Sequence, residues 1–152
     1  MMNDLRGLYE ELILDHNRNP RNYPRRPEDT NKSAHGLNPM CGDEFRVHLR
    51  VEDGVIRDVG FEGGGCAIST ASASMMTEAL KGKSVAEARA LFHEVHDVLT
   101  KEGEGGPSGG LLGKLAVLVG VKEYPLRVKC ATLAWHTMHA ALDGHHATVT
   151  TE

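Results

Sequence analysis

Phe45-Arg46-Val47-His48-Leu49-Arg50-Val51-Glu52-Asp53-Gly54-Val55 is the stretch whose reading decides the fold. Phe45, Val47, Leu49 and Val51 alternate with Arg46, His48, Arg50 and Glu52. A period of two marks a strand with one face turned to a core. The pattern predicts a strand over about 43–52. Asp53-Gly54 is a type I′ hairpin signal, since both central positions of that turn need positive φ. A second strand is predicted over 55–62, with Val55, Val59 and Phe61 on one face. A hairpin with one apolar face needs other elements to cover it.

Immediately before the hairpin stands Asn38-Pro39-Met40-Cys41-Gly42-Asp43. If extended geometry reaches back to Cys41, Cys41 and Asp43 point to the same side as the apolar row. The other two of the chain's three cysteines are Cys66 and Cys130. Gly63-Gly64-Gly65 leads into Cys66 and permits tight turns and close backbone approach. Each of these cysteines is expected at the start of a helix, where unpaired N–H groups and the positive helix end stabilise a thiolate. Three thiolates and the Asp43 carboxylate make the four ligands of a tetrahedral zinc site. Arg127 and Lys129 beside Cys130 would offset part of the negative charge, or else are ordinary solvated side chains. Spacing alone also leaves open that the cysteines are buried and inert.

The rest of the chain supplies helices. Residues 4–18 read as an amphipathic helix with Leu5, Leu8, Tyr9, Leu12 and His16 on one face and Asn3 or Asp4 as N-cap. From Pro20 to Pro39 there is no periodicity, and an extended crossing over the surface is expected. Residues 67–81 are rich in Ala, Ser and Met, which suits a helix packed closely on both sides. Ser84 and Glu87 have the spacing of a capping box, followed by the apolar face Val85, Ala88, Leu91, Phe92, Val95 and Leu99. Gly103 to Gly110 reads as a flexible loop, and Leu111 to Val119 as a short helix that Pro125 separates from the next. Ala131, Ala134, Trp135, Met138, Ala141 and Leu142 outline the last helix, with a polar, frayed tail from His145. The order is helix, hairpin, then helices. It predicts one α+β domain over 1–152, a small antiparallel sheet packed against helices with the metal at one end.

Composition narrows the function. A formal net charge of −4 argues against a general nucleic-acid binder. No apolar run approaches the roughly 18 residues of a membrane span. Met1-Met2-Asn3-Asp4 does not open a secretory signal, so a cytoplasmic protein is expected. Reduced thiols in an odd number suit metal ligation or catalysis better than disulfides.

Several patterns are set aside. Gly109 to Lys114 lacks the first glycine and the final Ser/Thr of a phosphate loop. His93 and His96 lack the spacing of zinc proteases, and the pair reads as a helix face. His136 and His139 need no function, and Ser69, Ser72 and Ser74 read as small packing residues.

Cys-Gly-Asp at 41–43, Gly-Cys-Ala at 65–67 and Arg-Val-Lys-Cys-Ala at 127–131 resemble the NifU/IscU-like family of iron–sulfur cluster assembly proteins. Within it the chain looks like the SufU branch, because Lys129 stands where IscU-type scaffolds carry a histidine and Gly103–Gly110 fits the SufU-type insertion. The resemblance implies a SufE/NifU-like fold with room for a third short strand. It implies Zn²⁺ on Cys41, Asp43, Cys66 and Cys130, and sulfur taken from the persulfide of a SufS-type cysteine desulfurase, for use by downstream iron–sulfur assembly proteins. In that setting Cys41, on the backbone with the fewest expected hydrogen bonds, would accept the sulfur, and Arg127 would hold the partner beside the site. The alternative is a non-catalytic scaffold that holds a transient [2Fe–2S] cluster on the same four ligands.

Overall fold

The computed structural model describes residues 2–39, 42–100, 125–144 and 148–150. Helix α1 runs Met2–Arg18; strands β1, β2 and β3 run Lys32–Asn38, Asp43–Glu52 and Val55–Gly64. Helices α2, α3 and α4 run Ala67–Leu80, Val85–Thr100 and Pro125–Leu142, and a short strand β4 covers Thr148–Thr150. The sheet order is β3-β2-β1-β4. Strands β1, β2 and β3 pair antiparallel with one another, and β4 lies parallel to β1. The architecture is α+β, as the order of patterns predicts.

The hairpin forms as its residues dictate. Asp53 and Gly54 have φ of 53° and 74°, the left-handed pair of a type I′ turn. Asp43, Phe45, Val47 and Leu49 share the buried face of β2. On β3 the inner face starts at Ile56 instead of Val55, continuing with Val59 and Phe61. The cause is a bulge: Arg50 pairs with Asp58 but Val51 with Ile56, so Arg57 has no partner and the alternation shifts by one.

Two expectations outside the hairpin are corrected. Residues 32–38 are not part of a surface crossing but form β1, between β2 and β4. The upstream part of that segment runs beside β3, with the Arg25 N–H bonded to the Phe61 carbonyl and the Phe61 N–H to the Asn22 carbonyl. The tail likewise returns to the sheet as β4. Asn3 and Asp4 lie inside α1, which begins at Met2, so neither caps it. The expected loop at 103–110 and short helix at 111–119 fall outside the described residues.

The helices cover the apolar face of the sheet. Ile13 and His16 of α1 are buried, and the His16 Nδ1 lies 2.7 Å from Ser74 Oγ on α2. Ser72 donates to the Ala131 carbonyl at 2.6 Å and accepts from Trp135 Nε1 at 3.2 Å, tying α2 to α4. The serines of α2 are thus the polar cross-links of a closely packed core. At Gly36 on β1 a Cβ would overlap Thr137 of α4, so this glycine lets the helix sit directly on the strand. The capping box opens α3: Glu87 N–H donates to Ser84 Oγ and Ser84 N–H to Glu87 Oε1, each at 3.0 Å. Among the described residues no helix is long and apolar enough to cross a membrane.

Candidate metal centre

The β1–β2 end of the sheet carries the site. Asn38, last in β1, pairs with Asp43, first in β2. The Gly42 N–H closes the connection on the Asn38 carbonyl at 2.9 Å, with Gly42 at φ +73°. Asp43 continues the inward row of Phe45 and Val47, so its carboxylate is buried at the edge of the core.

Opposite it, β3 ends in the glycine run. Gly63 has φ +111°, open to glycine and unfavourable for other residues. A Cβ on Gly65 would overlap the Asp43 carboxylate. The backbone therefore passes directly over Asp43 and delivers Cys66 as the N-cap of α2. The Cys66 N–H donates to Asp43 Oδ1 at 2.9 Å, and Ser69 Oγ donates to Asp43 Oδ2 at 2.5 Å. The Cys66 sulfur accepts the Ser69 N–H at 3.4 Å, as an N-cap side chain should.

Cys130 comes from the other side of the core and is fully buried. It does not begin a helix, contrary to the expectation from its sequence context: it lies inside α4. Pro125 opens α4 instead of ending the preceding segment, a position that suits proline because no intrahelical N–H is lost there. Cys130 lies beyond the first turn, where the dipole effect fades. Its sulfur has a side-chain donor, Asn38 Nδ2, at 3.8 Å.

The donor atoms of Asp43, Cys66 and Cys130 lie within 4.8 Å of one another. Tetrahedral ligands at about 2.0–2.3 Å from an ion stand roughly 3–4 Å apart, so small side-chain rotations close the set. Two soft sulfurs and one hard oxygen fit zinc and suit iron as well. Among the described residues the buried Asn38 Oδ1 has no hydrogen-bond partner, a leftover polar atom next to this donor set. Cys41, the fourth expected ligand, is outside the described residues. Arg127 lies in the first turn of α4 with its side chain exposed, as does Lys129 just after it.

The sequence reading misses two residues of this site, and it anticipates the close backbone approach at Gly65. Asn38 and Ser69 hold the ligands, and Gly65 makes space for them. Ser69 had a readable signal, for it stands three residues after an N-capping cysteine, where a cap meets its partner.

A separate histidine group surrounds Phe92 between α3 and α4. His96 and His139 stack on its ring, with His93 and His136 edge-on. Burial first, then neighbouring His96 and His139, pushes the His136 pKa down. Among the described residues only Asp43, Cys66 and Cys130 gather three metal-ligating side chains at ligand distance.

Residues 8–131 match the NifU-like N terminal domain family. The chain is 38% identical over 135 residues to the zinc-dependent sulfurtransferase SufU of Bacillus subtilis (strain 168), covering 89% of each. It is 41% identical over 135 residues to the iron-sulfur cluster assembly scaffold protein IscU of Thermotoga maritima, covering 89% of this chain and 92% of that one. The crystal structure of FiSufU from Fervidobacterium islandicum AW-1 has the same fold, with a TM-score of 0.75 and 34% identity, covering 89% of this chain and 96% of that one.

Proposed function

The chain belongs to the NifU-like N-terminal domain family, and on that premise we propose that it is a zinc-dependent sulfur acceptor for iron–sulfur cluster assembly. It works in the cytoplasm as one domain over residues 1–152, taking sulfur from a cysteine desulfurase for downstream assembly proteins. The observation that carries this reading is the convergence of Asp43, Cys66 and Cys130 from three separate elements. With Cys41 they are the four ligands the reading requires. The likeness to the B. subtilis sulfurtransferase supports zinc as the ion.

A bound Zn²⁺ keeps its cysteine ligands as thiolates near neutral pH. The chain's own residues do the rest. Asp43, Cys66 and Cys130 are anchored in a strand, a helix cap and a helix, so they form the fixed part of the site. Cys41, in the β1–β2 connection, is the acceptor. Its thiolate attacks the outer sulfur of the desulfurase persulfide; a new S–S bond forms on Cys41 and the desulfurase cysteine departs as a thiolate. The outer sulfur keeps its proton, and the electrons balance within the exchange: the Cys41 sulfur is oxidised to the persulfide level as the desulfurase cysteine is reduced to a thiolate, with no external oxidant or reductant. Arg127, exposed in the first turn of α4, meets the partner beside Cys130.

The likeness to the T. maritima scaffold protein favours a second reading, in which the same ligands carry a [2Fe–2S] cluster as cargo. Metal analysis of protein purified without added iron separates the two. One zinc per chain, with stimulation of a cysteine desulfurase that Cys41→Ala abolishes while keeping the fold, is the expected result. Folded, zinc-loaded Cys41→Ala that stimulates as well as the parent would remove Cys41 as acceptor.

A further inference from the structure

We propose that Ser69 is a positioning residue of the metal centre, holding the Asp43 carboxylate in place as a ligand. The inference rests on the reading of Asp43, Cys66 and Cys130 as metal ligands.

Ser69 is fully buried and lies between two of those ligands. Its Oγ is 2.5 Å from Asp43 Oδ2 and 3.3 Å from Cys66 Sγ. Its one hydroxyl proton has two acceptors within reach, and the short contact assigns it to the carboxylate. The Cys66 sulfur takes the Ser69 N–H instead, at 3.4 Å. Since Asp43 Oδ1 already accepts the Cys66 N–H, both carboxylate oxygens are tied to the start of α2. An ionised carboxylate has about four lone-pair sites, so each oxygen keeps capacity for a cation. The clamp fixes the plane of the carboxylate and removes the rotations that a free aspartate would sample.

Among the described residues, Asp43 and Cys66 are the only partners of this oxygen. Ser72 and Ser74 on the same helix bond to the Ala131 carbonyl and to His16, so they join helices. Ser69 bonds to ligands. Alanine would fill nearly the same volume and is a better helix former, so packing alone does not call for the hydroxyl.

The test compares the parent, Ser69→Ala, Asp43→Ala and the double variant. Zinc affinity is read by competition with a chromogenic chelator, the ligand set by the visible spectrum of the Co²⁺ form, and the fold by apo-protein melting. Loss of an outer-shell partner of a metal ligand typically costs about 10–100-fold in affinity. We expect that loss in Ser69→Ala, with altered cobalt bands and apo melting near the parent's. In the Asp43→Ala background, Ser69→Ala should add little. Unchanged affinity and spectrum in Ser69→Ala overturn the inference, as does an equal loss without Asp43. A Ser69→Ala protein that does not melt cooperatively overturns it too, because the hydroxyl would then serve the fold. A parent that binds neither zinc nor cobalt stoichiometrically overturns the metal-site reading itself.

Discussion

The Cys66 N–H donates to Asp43 Oδ1 at 2.9 Å, joining the turn before α2 to the first residue of β2. This bond exists only because the backbone at Gly65 passes over the carboxylate with no Cβ in the way. Gly65→Ala should push Asp43 aside and weaken metal binding by about 10-fold or more, the scale seen when a ligand's support is lost. Gly64→Ala is the control, since a Cβ there meets nothing within 4 Å among the described residues. Chelator competition on both variants checks the pair. Equal affinities would show that the close approach at Gly65 is irrelevant to the site.

Cys66 has two tasks that substitution can separate. Its sulfur caps α2 by accepting the Ser69 N–H, and it is a candidate metal ligand. Cys66→Ala should destabilise even the metal-free protein by about 1 kcal/mol, the usual value of a lost N-cap. Cys66→Ser keeps a capping oxygen and should leave the apo form near the parent. Both should lose the rise in melting temperature that zinc gives the parent, because binding to the folded state alone adds stability. Melting curves with zinc and with chelator measure the two parts. The helices bury apolar faces of their own, so chelation should loosen the fold without unfolding it to a coil.

How far the sequence could be read depends on where alternation was visible. Phe45 to Val51 repeats every second residue, and its strand and the turn at Asp53-Gly54 are as expected; Phe45, Val47 and Leu49 are buried, while Val51 is only half-buried and His48 on the other face is buried. Strand β1 reads Lys-Ser-Ala-His-Gly-Leu-Asn, with Gly36 and Asn38 at inward positions. Glycine is there because α4 lies against it, and asparagine because Cys130 does. A hydropathy pattern cannot display residues chosen for contact distance. Cys66 was placed correctly, since the glycine run ahead of it forces a turn. Cys130 was not, because Pro125 can end one segment or begin the next with equal local logic. The bulge at Arg57 was invisible for a similar reason: Val55 and Ile56 are both apolar, so either could begin the inner face.

Gly36 offers a test of the contact between α4 and β1. A Cβ there would overlap Thr137 Oγ1, whose hydroxyl otherwise donates to the Leu133 carbonyl of its own helix. Gly36→Ala should cost about 1–3 kcal/mol, as overpacking a close-packed core does. Thr137→Ala removes the obstructing oxygen, and in that background Gly36→Ala should cost clearly less. Denaturant unfolding of the four proteins gives the coupling. Fully additive losses would mean that α4 and β1 are free to separate at this point.

The histidines around Phe92 set a pH dependence whose sign follows from their surroundings. Burial, then His96 and His139, lowers the His136 pKa. For His139 burial again lowers it, Asp143 opposes, and Arg89 and His93 lower it further. The Arg89 guanidinium bonds to Asp143 at 2.6 Å, so part of that carboxylate's pull on His139 is shared. Both folded-state values therefore lie below the ordinary imidazole value of about 6.5. Above that pH both imidazoles are neutral in either state and cost nothing. As pH falls through about 6.5 the unfolded chain takes up protons that the folded chain resists, so stability is lost. The loss stops growing once pH is below the lowered folded values. The parent should melt at a lower temperature at pH 5.5 than at pH 7.5. His136→Leu keeps an apolar side chain against Phe92 and cannot titrate, so its melting temperature should fall less over the same interval. Parallel melting profiles for parent and variant from pH 5 to 8 would show that protonation of His136 does not load the α3–α4 interface.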